Sequence, residues 1–107
     1  MTELRERVGK LSDMVSGTAR QVIIGDHRIA LVRIDDDVYA IGDRCTHQDI
    51  SLAEGEVLCD DLAIECWKHG SAFSLEDGSP QSLPATQPVP VYGVRVVDGE
   101  IEVTVDV

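Results

Sequence analysis

The sequence has little positive charge, few aromatic residues and no long apolar run. Nine Lys and Arg residues stand against twenty Asp and Glu residues, which gives a formal net charge of −11. Such an acidic chain is repelled by phosphate backbones and by anionic lipid, so we expect no nucleic-acid partner. No segment approaches the roughly 20 apolar residues of a membrane-spanning helix, and the charged N-terminus is not typical of a signal peptide. The sequence therefore predicts a cytoplasmic protein without a membrane anchor.

Cysteine and histidine are also scarce, with three of each. An odd number of cysteines argues against a complete disulfide framework, and cysteines in a reducing compartment are thiols or metal ligands. Two of each type fall into two short clusters, Cys45-Thr46-His47 and Cys66-Trp67-Lys68-His69. Each cluster offers one thiolate and one imidazole, which can converge on a single metal site. The remaining cysteine and histidine are not predicted to be ligands. We expect Cys59 to be a half-buried hydrophobic residue and His27 to be a solvated turn residue.

Strand signals dominate the rest of the chain. Runs rich in Val and Ile alternate with Gly and Asp turns, and four prolines between positions 80 and 90 exclude a long helix there. We predict strands at 21–24, 28–34, 38–41, 57–58, 62–65, 73–75, 89–97 and 100–105. A short helical turn near Ser12–Val15 is weakly indicated. The length of 107 residues suits one domain, 1–107. Short strands at this spacing indicate an all-β sandwich or barrel.

The two clusters together resemble the motif of the Rieske family, Cys-x-His followed after a spacer by Cys-x-x-His. Gly70 after the second cluster and Leu83-Pro84-Ala85 further on strengthen the resemblance. It implies an all-β, Rieske-type antiparallel sandwich of three small sheets with a two-loop cluster-binding tip, at about residues 43–86. It also implies one [2Fe–2S] cluster, with Cys45 and Cys66 on the inner iron and His47 and His69 on the outer iron.

The residues near the motif bear on the reduction potential, which spans about −150 to +300 mV in Rieske centres. In high-potential respiratory relatives, a Ser directly after the His-Gly pair and a Tyr two residues later donate hydrogen bonds to sulfur. Ser71 matches the first residue, whereas Phe73 replaces the second, so we predict a potential in the low half of this range. Pro84 is expected in a cover beside the cluster, and Trp67 is expected to shield the cluster, to contact a partner or to pack beside its loop.

The resemblance is strongest to stand-alone ferredoxins of bacterial ring-hydroxylating dioxygenases. It implies an electron carrier that accepts electrons from a flavin-dependent ferredoxin reductase and passes them to a terminal non-haem iron oxygenase. The sequence has no oligomerisation signal, so a monomer is the default expectation. We expect no catalytic residue, because His27 is the only histidine outside the motif and an oxygenase iron site needs two.

Other functions remain open from the sequence. The chain could be the small Rieske subunit of an NAD(P)H nitrite reductase, or an accessory redox factor in iron–sulfur cluster assembly. A structural zinc site is the competing metal assignment. Zinc ribbons usually pair Cys-x-x-Cys knuckles, so the spacing disfavours zinc.

Overall fold

A computed structural model of the chain describes residues 3–44, 51–67, 70–81 and 87–106. These residues form β-strands and single-turn 3-10 helices, with no α-helix among them. The strands in this part of the chain are β1 (Glu3–Lys10), β2 (Thr18–Ile24), β3 (His27–Ile34), β4 (Asp37–Gly42), β5 (Glu56–Leu58), β6 (Ala63–Glu65), β7 (Ala72–Ser74), β8 (Val91–Val97) and β9 (Glu100–Asp106). The 3-10 turns described are Leu11–Asp13, Leu52–Glu54 and Cys59–Asp61. The all-β prediction is confirmed.

The described strands form two antiparallel sheets. The large sheet has the order β1-β9-β8-β4-β3-β2, and the small sheet has the order β5-β6-β7. The large sheet consists of two three-stranded parts, β2-β3-β4 and β1-β9-β8, which are joined where Ala40 pairs with Tyr92 and Ile41 with Val91. The three predicted sheets are therefore present, and a short β4–β8 ladder joins two of them.

Strand β3 separates two hydrophobic cores. Ala30 and Val32 contribute to one core, which also contains side chains from the small sheet and its loops. Ile29 and Leu31 point into the other core, which β9 helps to fill. Because successive side chains of a strand point to opposite faces, a strand buried on both faces needs apolar residues at consecutive positions. The run Ile29–Val32 meets this need and positions the small sheet against one face of the large sheet.

The N-terminal region differs from the sequence prediction. Residues Glu3–Lys10 form strand β1, paired antiparallel with β9, although no strand was predicted there. Its alternating charged residues, including Arg5 and Arg7, are exposed, so this strand has no continuous apolar face that would identify it. The predicted turn near Ser12–Val15 is a 3-10 turn at Leu11–Asp13. Within the described ranges, no helix is long and apolar enough to span a membrane.

Candidate metal centre

Of the four predicted cluster ligands, the structure describes Cys66. Cys45, His47 and His69 lie outside the described residues, and so does Pro84 of the predicted cover. Among the residues that are described, no group of three or more His, Cys, Asp or Glu side chains is placed to hold a metal ion. The ligand set as a whole stays a prediction, and the described residues show how the chain enters and leaves each predicted ligand segment.

Cys66 lies directly after β6, at the start of the loop that leads to β7. Its side chain is buried, its backbone N–H donates to the Ser71 carbonyl at 2.7 Å, and its own carbonyl accepts from the Gly70 N–H at 3.0 Å. Gly70 has φ +73°, a left-handed conformation that favours glycine. These bonds hold Gly70 and Ser71 against the backbone of Cys66, whose side chain is buried. This placement fits the thiolate of a site with two cysteines and two histidines, the donor set of a Rieske cluster.

The three predicted neighbours of the cluster that the structure describes have different environments. Phe73 is fully buried in the same hydrophobic core as Cys66. Ser71 is also fully buried, immediately before β7. Trp67 is 57% exposed and borders an open surface groove together with Arg28 and Ser51. Packing therefore accounts for Phe73, whereas the Trp67 ring is open to a partner molecule.

Asp43 was not identified as a site residue from the sequence. It follows β4 and is fully buried. Its carboxylate accepts hydrogen bonds from the Gln21 side-chain amide, from Ser51 Oγ at 2.7 Å and from the Ala53 backbone N–H at 2.9 Å. The Asp43 carbonyl also accepts from the Leu52 N–H. We call this arrangement the Asp43 clamp, and it ties the two chain ends that border residues 45–50.

Backbone pairing supports the clamp from both sides. The Asp43 N–H donates to the Arg28 carbonyl at 3.0 Å, which extends the β3–β4 ladder by one residue. Arg44 and Ser51 form an isolated antiparallel bridge. An aspartate two positions before a predicted ligand was the available sequence signal, but its position at the end of a strand is equally typical of a solvated turn.

The chain segment that contains Pro84 is also bordered by fixed backbone. The Gln81 N–H donates to the Ala72 carbonyl at 2.7 Å, and the Val89 N–H donates to the Gly78 carbonyl at 2.9 Å. Gly78 has φ +75°, and a Cβ at this position would lie 2.1 Å from the Val89 carbonyl oxygen. Only glycine fits here without a backbone shift, so Gly78 allows the Val89 backbone to approach this turn closely.

The turn next to Gly78 carries a shifted carboxyl group. Asp77 Oδ1 accepts hydrogen bonds from the Ser79 hydroxyl at 2.7 Å and from the Ser79 N–H at 2.9 Å. Both bonds favour the charged carboxylate and so lower the pKa of Asp77 below its ordinary value. The bond from the hydroxyl makes the larger contribution and the backbone bond the smaller one. The ionised side chain therefore supports the turn at neutral pH.

Two predictions outside the motif are wrong. Cys59, expected to be half-buried, is exposed, since it begins the 3-10 turn between β5 and β6. His27, expected to be a solvated turn residue, is partly buried at the start of β3. Its Nδ1 lies 3.3 Å from Tyr92 Oη, and the two rings meet edge to face with centroids 5.6 Å apart. Burial raises the pKa of Tyr92.

Comparison with known proteins shows which protein family this chain resembles. The family model of the Rieske [2Fe–2S] domain matches residues 5–93. The chain is 41% identical over 104 residues to ferredoxin CarAc of Metapseudomonas resinovorans, covering 96% of this chain and 95% of the relative. It is 35% identical over 98 residues to the anthranilate 1,2-dioxygenase ferredoxin subunit of Burkholderia cepacia, covering 92% and 89% of the two chains.

Solved structures agree with these sequence matches. A ferredoxin chain in a complex of reduced oxygenase and oxidised ferredoxin of carbazole 1,9a-dioxygenase superimposes with a TM-score of 0.85 at 42% identity, over 92% of this chain and 99% of that chain. A chain described as the putative small subunit of an NADH-dependent nitrite reductase from Mycobacterium tuberculosis superimposes with a TM-score of 0.89 at 26% identity, over 100% and 99%. The fold is common to both structures, whereas sequence identity is higher with the ferredoxin of the carbazole dioxygenase complex, at 42%, than with the nitrite reductase chain, at 26%.

Proposed function

Because the chain belongs to the Rieske [2Fe–2S] family, we propose that it carries single electrons from a flavin-dependent ferredoxin reductase to a terminal non-haem iron oxygenase. The family match and the ferredoxin relatives show that this is an electron carrier with one [2Fe–2S] cluster rather than a catalytic subunit. The observation that carries the proposal is the 42% identity, over nearly the whole chain, to a ferredoxin solved in complex with its oxygenase.

We assign the cluster to Cys45, His47, Cys66 and His69. The motif spacing supports all four residues, and the burial of Cys66 directly after β6 supports its role as a sulfur ligand. When bound, a cluster with two thiolates and two imidazoles supplies a centre that accepts and returns one electron at a higher potential than an all-cysteine cluster. The protein's contribution is to bury Cys66 within a packed core and to keep water from this side of the site. Residues 43–86 are proposed to form the cluster-binding part of a single domain, 1–107.

The net negative charge supports docking to a partner protein. A net charge of −11 attracts a basic docking face, and the association rate should fall as salt rises. The exposed ring of Trp67, one position after Cys66, offers an aromatic contact close to the cluster. We propose that the protein acts as a cytoplasmic monomer that meets reductase and oxygenase in turn. Sedimentation analysis and cell fractionation test these two points.

The ligand assignment is tested by electron paramagnetic resonance of the anaerobically purified, dithionite-reduced protein. We expect two iron and two sulfide ions per chain and a spectrum of mixed nitrogen and sulfur ligation. Cys45→Ser and His47→Ala should abolish that spectrum. Cys59→Ser and His27→Ala are matched controls that should retain it, because they change the third cysteine and the third histidine. A diamagnetic protein with stoichiometric zinc would overturn the assignment.

Two further roles have distinct experimental outcomes. The structural likeness to a nitrite reductase small subunit, at 26% identity, makes that role the second candidate. It predicts that a large reductase subunit co-purifies with the chain in fixed stoichiometry, whereas the shuttle role predicts a free ferredoxin that reduces an oxygenase in stopped-flow mixing. A role in cluster assembly predicts transfer of iron and sulfide to an apo-acceptor rather than transfer of an electron alone.

A further inference from the structure

The Asp43 side chain is buried and connects three separate parts of the chain. Burying a carboxylate is costly unless hydrogen bonds replace the lost water. Asp43 is fully buried, and its side chain accepts three hydrogen bonds: from Gln21 on β2, from Ser51 and from Ala53 in the 3-10 turn at Leu52–Glu54. The side chain is therefore satisfied by partners that lie 8 to 22 residues away in sequence.

The clamp joins the described residues that lie directly before and after residues 45–50. Arg44 and Ser51 are paired as an antiparallel bridge, and the Leu52 N–H donates to the Asp43 carbonyl. A six-residue segment with both ends fixed has far fewer conformations than one with free ends. Pre-ordering of the ends reduces the entropy that cluster binding would otherwise have to supply.

We propose that Asp43 is a positioning residue for the cluster: through Ser51 and Ala53 it fixes the chain ends from which Cys45 and His47 reach the iron. The inference rests on the proposed ligand roles of Cys45 and His47. Asp43 acts through these hydrogen bonds and not by binding iron. Gln21 on the edge strand β2 lies outside the family motif and contributes to this positioning through its hydrogen bond to Asp43.

The first test measures amide hydrogen exchange in the apo protein, where no ligand assignment is involved. In Asp43→Ala, the Ala53 amide loses its acceptor, and we expect its exchange to accelerate about tenfold or more. The amides of Leu31 and Val32 in β3 should keep their exchange rates. If Ala53, Leu31 and Val32 accelerate by the same factor, Asp43 serves overall stability only and the proposal is wrong.

The second test measures iron release to a chelator from the holoprotein, together with its paramagnetic spectrum. Asp43→Ala should release iron about tenfold faster and broaden the spectrum. Asp61→Ala, which removes one exposed carboxylate from a 3-10 turn, is the matched control and should do neither. Equal iron release from these two variants would overturn the proposal.

A conservative variant separates hydrogen bonding from charge. Asp43→Asn retains an acceptor for the Ala53 N–H, and rotation of the Gln21 amide would turn its oxygen towards the new amide group. We expect Asp43→Asn to recover most of the iron retention that Asp43→Ala loses. Release as fast as in Asp43→Ala would contradict a hydrogen-bonding role.

Should Asp43→Ala fail to fold, Ser51→Ala provides a milder test of the same clamp. It removes one hydrogen bond to Asp43, so we expect iron release to rise about threefold. No change in this variant would contradict the proposal. If Cys45→Ser and His47→Ala both keep the cluster, the ligand assignment fails, whereas the exchange result in the apo protein still decides whether Asp43 holds Ala53.

Discussion

The large and small sheets pack against each other but are stabilised in different ways. The strands of the large sheet have six to eight residues, whereas each strand of the small sheet has three. The core on the far side of the large sheet is filled by aliphatic side chains such as Ile29, Leu31 and Val103. The core under the small sheet includes Cys66 and is bordered by the Asp43 clamp, in which Ala53 packs against this core. The two regions thus differ in strand length and in the side chains that fill their cores, and polar contacts fix the described chain ends beside the predicted ligand segment 45–50.

Removal of the cluster should produce the largest difference between the two regions. A bound metal group contributes on the order of several kcal/mol to the folding of the segments that hold it. We expect the amides of Ile64 and Phe73 in the small sheet to exchange about a hundredfold faster in the apo protein, with Leu31 and Val32 nearly unchanged. Hydrogen exchange of matched apo and holo samples provides the measurement. Equal acceleration in both regions would show that they unfold as one unit.

A matched pair of core truncations should separate the regions next. Leu31 and Leu75 are both buried, the first in the core beyond the large sheet and the second in the core under the small sheet. Each Leu→Ala change should lower the free energy of unfolding of the holoprotein by about 2–5 kcal/mol. In the apo protein, only Leu31→Ala should retain its full cost, because the surroundings of Leu75 are already loosened. Urea denaturation followed by circular dichroism measures both costs, and equal losses in the apo protein would contradict this expectation.

Two glycines with similar φ angles allow a more local comparison, with a smaller expected difference in stability. Gly78 has φ +75° and Gly99 has φ +79°, but a Cβ at Gly78 would meet the Val89 carbonyl at 2.1 Å, whereas a Cβ at Gly99 would have no atom within 4 Å. Gly99→Ala should cost about 1–2 kcal/mol from the left-handed conformation alone. Gly78→Ala should cost about 1–3 kcal/mol more and should also speed iron loss. Thermal unfolding of both variants measures the difference, and equal costs would mean that Val89 yields without strain.

Most of the fold was predictable because its signals are local. The apolar run in β3 and the Gly and Asp turns indicate strands without knowledge of their partners. Strand β1 was missed because its stability comes from pairing with β9, about 100 positions away, and its exposed arginines carry no apolar pattern. The environment of His27 was missed for the same reason, since its contact with Tyr92 spans 65 positions.

The site was predictable only in part. Ligand types and spacing are chemical requirements of the cluster, so the motif around Cys45 and Cys66 is visible in the sequence. The supporting residues are set by tertiary structure: Asp43 and Gly78 look like ordinary turn residues until their contacts with Ala53 and Val89 are known. The proposed ligands can therefore be recognised from the motif, whereas the proposed supporting residues can be recognised only from the structure.

The smallest predicted effect concerns the reduction potential, which should change when a side chain of the small sheet near Cys66 is replaced. Phe73 is fully buried in the same core as Cys66 and has no hydrogen-bond donor on its ring. Phe73→Tyr places a hydroxyl there, and a hydrogen bond to sulfur stabilises the reduced cluster. A bond of about 1.4 kcal/mol raises a one-electron potential by about 60 mV. Tyr92→Phe, which removes a hydroxyl from β8 beside the other core, is the control and should leave the potential unchanged. Cyclic voltammetry measures both variants, and an equal shift in the two would mean that the potential responds to the whole fold rather than to the side chains beside Cys66.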